Sequence, residues 1–180
     1  GWAARLIENG IEVRVFDPAA DTKAKFDAVL ANADRAYASL TNAPRAAKAA
    51  VSWHASAAAA AEGSQLIIES VPERPDIKRV VYAEIETSAA SDAIITSSTS
   101  GIMPSELQAE MVHPERLMVA HPFNPVYLLP LVELVAGNQT DTKYIEWGKT
   151  FFAGIGMHPL HCRVEIEGFL SDRLQEALWR

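Results

Sequence analysis

Among the five histidines, His121 has the surroundings in which acid–base chemistry is easiest to build. It follows the apolar run Leu117-Met-Val-Ala120, and Glu133 lies twelve residues further on, inside Pro130-Leu-Val-Glu-Leu-Val135. Both runs read as strands. A histidine at a strand end lies at the sheet edge, where ligands of open α/β sheets bind. If the two strands are neighbours, the carboxylate meets the imidazole, orients it, fixes its tautomer and raises its basicity. Such a base can take the hydroxyl proton of a secondary alcohol while hydride leaves for a nicotinamide, a contribution of about 10²–10⁴-fold. The same residues also allow a structural reading, with Glu133 as an ion-pair partner and His121 as a turn residue before Pro122.

A second acidic residue bears on the nicotinamide idea. Ile11 to Phe16 alternates apolar and polar residues and ends at Asp17-Pro18. A carboxylate at the end of the second strand of a doubly wound sheet accepts hydrogen bonds from the adenosine ribose of NAD and repels the 2′-phosphate of NADP. The preceding helix would then face the pyrophosphate. Its glycine-rich loop is absent, with Gly1 as the last remnant. Asp17 can equally be a turn residue.

The elements that must position these residues follow from the pattern. GWAARLIENG reads as a helix stopped by Asn9-Gly10. Residues 19 to 50 are Ala-rich and helical in propensity, with Pro44 as a break. Strands are expected at 51–53, 66–69, 93–97, 117–120, 130–135 and 157–163. Helices are expected at 56–62 (stopped at Gly63), 75–90, 104–110, 140–153 (capped by Thr140 or Asp141) and 168–180. Short apolar strands alternating with helices indicate an α/β fold with a parallel sheet covered on both faces. Without the central first strand, its two neighbours expose unpaired edges, so the chain alone is expected to be unstable.

Bulk properties exclude several classes. The 180 residues are 49% hydrophobic and 22% charged, which is globular composition. A net charge of −7 with no basic run argues against a nucleic-acid partner or an anionic membrane surface. No apolar run reaches the roughly 20 residues of a membrane span. The single cysteine, Cys162, precludes an internal disulfide and fits a reducing, cytoplasmic location. It belongs to no CxxC pattern, and His158 and His161 are expected on opposite sides of a strand, so no metal site is expected. His54 and His113 read as surface or turn residues.

Several stretches together resemble the 3-hydroxyacyl-CoA dehydrogenase family. His121-Pro-Phe-Asn-Pro125 followed by Val132-Glu133 resembles the family's His-x-Phe-Asn-Pro and Val-Glu signature. Ser97-Ser-Thr-Ser100 resembles its Ser-Asn-Thr-Ser segment, with Ser98 standing where the family has Asn. Glu69-Ser-Val-Pro-Glu73 resembles Glu-Ala-x-x-Glu, and Gly168-Phe-Leu-Ser-Asp-Arg-Leu174 resembles Gly-Phe-x-x-Asn-Arg-Leu. The resemblance covers nearly the whole chain. It implies a doubly wound, Rossmann-like, mostly parallel fold lacking its first strand and glycine loop. Residues 1–165 would be the N-terminally truncated NAD-binding domain, and 166–180 the start of a truncated helical C-terminal domain that completes the substrate cleft and a homodimer. It implies His121 as catalytic base, Glu133 as its partner and Ser100 on the substrate oxygen. NAD would be contacted by Gly1, Asp17, Glu73, Lys78 and Ser98, and the substrate by Phe123, Asn124 and Asp172.

Asp172 replaces the family's substrate-facing Asn. An acidic residue there suits a cationic substrate better than an acyl-CoA. The runs around Pro125–Glu133 and Gly168–Trp179 look most like the branch of the family that oxidises L-carnitine. A quaternary ammonium is held by aromatic faces and carboxylates, for which Phe123 and Tyr127 are candidates. Their alternative is core packing, and Asp172 has the alternative of an ion pair with Arg173 or Arg180. Other possible substrates are L-gulonate and 3-hydroxybutyryl-CoA. A non-enzymatic alternative is a structural relative resembling lambda-crystallins, which would have no need of His121 and Glu133.

Overall fold

The computed structural model describes residues 1–40 and 46–180; the expected break at Pro44 lies outside the described residues. Helix α1 (Trp2–Glu8) turns Trp2, Leu6 and Ile7 inward. It ends where expected, because Gly10 takes a left-handed φ of 76° and lets the amides of Gly10 and Ile11 reach back to the carbonyls of Ile7 and Leu6. That turn absorbs Ile11, so strand β1 (Val13–Val15) is shorter than the alternation predicts. Helix α2 (Thr22–Leu40) follows, and residues 46–50 are not helical, so the Ala-rich tract is not one continuous helix.

Beyond it, β2 (Val51–Trp53), α3 (Ala57–Ala61), β3 (Leu66–Glu69), α4 (Pro75–Glu86), β4 (Ile94–Ser97) and α5 (Pro104–Gln108) fall within the expected segments. The Ser56 hydroxyl caps α3 by accepting from the Ala59 amide at 3.1 Å. Strands β5 (Leu117–Pro122) and β6 (Leu131–Ala136), helix α6 (Thr142–Gly154) and strand β7 (His158–Cys162) complete the main body. Asp141 is the cap of α6, accepting from the Lys143 amide at 3.0 Å. Thr140 instead donates to the Leu117 carbonyl at 2.6 Å.

The strands form two hydrogen-bonded sheets, β1–β2 and β3–β4–β5–β6–β7. All pairings are parallel except β5–β6, which is antiparallel. The result is a mostly parallel, Rossmann-like α/β fold. One face buries Met118, Val132 and Leu134 under Trp2 and Leu6 of α1 and Ile145 and Phe152 of α6. The other buries Val119 and Val135 under Tyr82 and Ile85 of α4 and Leu107 of α5. Two covered faces explain why β4 and β5 are continuously buried. No described helix is long and apolar enough to cross a membrane.

The last helix departs from expectation. It is α7 (Ser171–Trp179), starting three residues late. Gly168 (φ 71°) and Phe169 (φ 47°) are both left-handed, which no right-handed helix can include.

Arg5 ties the loop after His121 to the body. It is buried, and its guanidinium donates to the carbonyls of Val126 (2.8 Å), Leu129 (3.2 Å) and Ile155 (3.3 Å). Arg5→Met would keep most of the apolar stem and strand those acceptors. We expect it to cost about 3 kcal/mol. A urea midpoint unchanged from the parent would show that the loop holds without Arg5.

Candidate active site

Antiparallel pairing sets His121 directly opposite Glu133, with both side chains on one face. His121 Nδ1 lies 2.9 Å from Glu133 Oε2, and its Nε2 lies 3.1 Å from Ser100 Oγ. An ionised carboxylate only accepts, so Nδ1 carries the hydrogen and Nε2 is left with its lone pair. His121 is 6% exposed, and the rings of Phe123 and Phe169 lie 5.7 and 5.5 Å from it.

Glu133 is fully buried and fully engaged. Its Oε1 accepts from the amides of Leu170 and Ser171, both at 3.0 Å, and its Oε2 accepts from the Ser171 hydroxyl at 2.6 Å as well as from His121. Burial pushes the carboxyl upward, but the bonds from His121, Ser171 and Leu170 outweigh it and hold the group below the usual carboxylate range. Glu133 therefore stays charged beside the imidazole. A buried anion in an apolar strand is tolerable because four donors surround it.

Ser100 is held from behind. Glu73 accepts from the amides of Ser100 (3.0 Å) and Gly101 (3.1 Å) and from the Thr99 hydroxyl. Burial opposes its charge, yet the Thr99 hydroxyl, the Gly101 and Ser100 amides and Lys78 keep it below the usual range. Lys78 is buried beneath this loop. Its ammonium reaches Glu69 Oε1 at 2.8 Å, the Val71 carbonyl at 3.4 Å and Glu73 at 3.5 Å. Glu69 also accepts from Tyr82 and Ser97, each at 2.7 Å. Burial and the adjacent Glu69 push the Tyr82 phenol upward, which keeps it a neutral donor.

The expected cofactor residues fall in two places. Gly1 and Asp17 line one cleft of about 240 Å³ with Phe26, Val29 and Leu30. Asp17 is exposed there, one of its oxygens accepting from the Ala19 amide at 2.9 Å, so the turn contact and the cleft position coexist. Ser98 instead faces Trp2 Nε1 (2.9 Å) and Ser70 Oγ (3.0 Å), next to the Glu73 loop. Asn124 is exposed and Tyr127 half-buried on the loop after β5. Asp172 is half-buried with no hydrogen bond or ion pair among the described residues, and Arg180 pairs with Glu176.

Sequence reading missed Phe169, Ser171, Glu69, Tyr82 and Trp2 as parts of this assembly. The glycine before Phe169 and the glutamate ending the apolar Leu66–Glu69 run were the available signals. Ser171 lay inside the Gly168–Leu174 segment with no role of its own, and nothing local marked Tyr82 or Trp2.

Residues 1–166 match the model of the 3-hydroxyacyl-CoA dehydrogenase NAD binding domain. An L-carnitine dehydrogenase/betainyl-CoA thioesterase of Rhizobium meliloti is 51% identical over 99% of this chain and 36% of its own length. An L-carnitine dehydrogenase of Mesorhizobium japonicum is 49% identical over 100% of this chain and 50% of its own. The chain thus spans half or less of the length of these curated relatives. Among solved structures, an NAD⁺-dependent 5-formyl-3-hydroxy-2-methylpyridine 4-carboxylic acid 5-dehydrogenase superposes with a TM-score of 0.92. It is 32% identical, and the match covers 99% of this chain and 58% of that one.

Proposed function

The chain belongs to the 3-hydroxyacyl-CoA dehydrogenase family, as the match over residues 1–166 shows, and on that premise we propose that it is the nucleotide-binding half of an NAD-dependent dehydrogenase that oxidises the 3-hydroxyl of L-carnitine. One observation carries the chemistry. His121 has Nδ1 locked on an ionised Glu133, while Nε2 keeps its lone pair and, among the described residues, pairs only with the Ser100 hydroxyl.

NAD fits the residues present. The exposed Asp17 carboxylate can accept from the ribose hydroxyls, and Phe26, Val29 and Leu30 supply an apolar wall for the adenine. When bound, NAD supplies the hydride acceptor. The protein moves the proton. The substrate hydroxyl takes the place of the Ser100 hydroxyl at His121 Nε2, Ser100 Oγ turns to donate to the substrate oxygen, and Nε2 takes the hydroxyl proton as hydride leaves the carbon. Glu133 stabilises the resulting imidazolium without itself becoming protonated. Phe123 and Phe169 exclude water around the ring. Glu73 keeps Ser100 in place, and Lys78 keeps Glu73 in place.

The substrate assignment rests on the names of the relatives and on Asp172, whose carboxylate has no partner among the described residues and suits a trimethylammonium group. NADH formation at 340 nm by the full-length protein, with L-carnitine and 3-hydroxybutyryl-CoA side by side, tests it. Turnover of the CoA ester alone would discard the cation argument but keep the base. We expect Asp172→Asn to raise the KM for L-carnitine about tenfold, roughly 1.4 kcal/mol, with kcat within twofold. An unchanged KM would remove Asp172 from the binding site.

A further inference from the structure

We propose that Ser171 is a positioning residue for the His121–Glu133 pair, clasping the carboxylate and setting how strongly it draws on the imidazole. This rests on His121 being the base, as proposed above. The left-handed Gly168–Phe169 turn delivers Ser171 to the first position of α7. From there one residue grips both carboxylate oxygens, its amide on Oε1 at 3.0 Å and its hydroxyl on Oε2 at 2.6 Å. The hydroxyl distance is that of a charge-assisted bond to an ionised acceptor.

Oε2 is the oxygen that also receives His121 Nδ1. The two donors therefore share its charge. Remove the hydroxyl, and more of that charge faces the ring. The imidazolium gains stability, so Nε2 is less often free to take a proton at acidic pH. The carboxylate also gains freedom to rotate about its last torsion.

The other groups facing the pair do not compete for this role. From β7, Cys162 Sγ lies 4.0 Å from Glu133 Oε1, and burial together with the glutamate charge pushes its thiol up to about 11, so it is neutral. From the loop after β4, Ser100 is the direct contact, with Glu73 and Lys78 behind it. From α7, Asp172 makes no hydrogen bond or ion pair among the described residues. Phe123 and Phe169 carry no charge.

The test is the pH profile of kcat/KM for L-carnitine with NAD⁺, on the full-length parent, Ser171→Ala and Ser171→Thr, with His121→Gln in parallel. Ser171→Ala is expected to move the acidic limb up by about half a pH unit and lower the plateau less than tenfold, and Ser171→Thr to restore the parent profile. Ser171→Cys, a weak donor of similar size, should fall between them and serves if the alanine variant does not fold. An acidic limb unmoved in Ser171→Ala, or in Ser171→Cys where that variant stands in, would overturn the proposal, as would a shift equally large in Ser171→Thr. If His121→Gln is inactive while the limb stays put, only the role of Ser171 fails. If His121→Gln retains turnover, the base assignment fails first.

Discussion

His121→Gln is expected to lower kcat/KM about 10³-fold while leaving NAD affinity and the melting temperature nearly unchanged. Glutamine can place amide groups near both Glu133 and Ser100, so the site keeps its shape. What disappears is a group that can accept a proton and hold it as a cation. Base assistance of this kind is worth about 10²–10⁴-fold, or roughly 3–5 kcal/mol of barrier. NADH formation under saturating and limiting substrate would separate the terms, with the loss falling on kcat and not on KM. A variant within tenfold of the parent would show that the proton leaves by another route. The predicted tolerance of the fold follows from geometry: the carboxylate of Glu133 keeps three donors, from Leu170 and Ser171, when the imidazole is gone.

Lys78→Met should have the largest effect on stability, about 3–5 kcal/mol, because it leaves the buried Glu69 charge without its cation. For a domain of this size that lowers the melting temperature by roughly 10 °C. The substitution also removes the cation behind Glu73, so the loop from Thr99 to Gly101 should loosen and activity should fall with stability. Adding Glu69→Gln removes the orphaned charge and keeps one oxygen for Tyr82 and Ser97, but its amide nitrogen cannot accept from Val71. The double variant should regain about half of the loss. A single variant within 1 kcal/mol of the parent in chemical denaturation would show that the pair is dispensable. Acid works on the same region with a definite sign. Glu73 and Glu133 have carboxyls held below their ordinary value of 4.5, so their stabilisation is present above that pH and is lost as pH falls through their lowered values.

How much of this site could be read from the chain depends on how far apart its parts lie. His121 and Glu133 were legible because each sits in an apolar run and only one loop separates them. The motif resemblance then singled out Ser100, Glu73 and Lys78. It could not reveal that Lys78 turns its ammonium onto Glu69, since that contact depends on α4 lying over β3 and β4. Asp17 was legible as a strand-end carboxylate, and it does share a cleft with Gly1. Ser98, expected on the cofactor, is tied to Trp2 across 96 residues, a pairing no local pattern encodes.

The sequence by itself determined the alternation of strands and helices, the doubly covered sheet and the candidacy of His121 and Glu133 as an imidazole and its carboxylate partner. Those follow from side-chain periodicity and composition, which act over a few residues. Only the tertiary structure decided that β5 and β6 run antiparallel in the register that sets imidazole against carboxylate. It alone decided that α7 begins at Ser171 rather than at Gly168, because two consecutive left-handed residues break the helix there. That three-residue difference brings two amides and a hydroxyl onto Glu133 from 37 and 38 residues away. The physical reason is the same in each case. A buried charge must find its donors wherever the packed elements present them, and which elements meet is a property of the sheet order, not of any one segment.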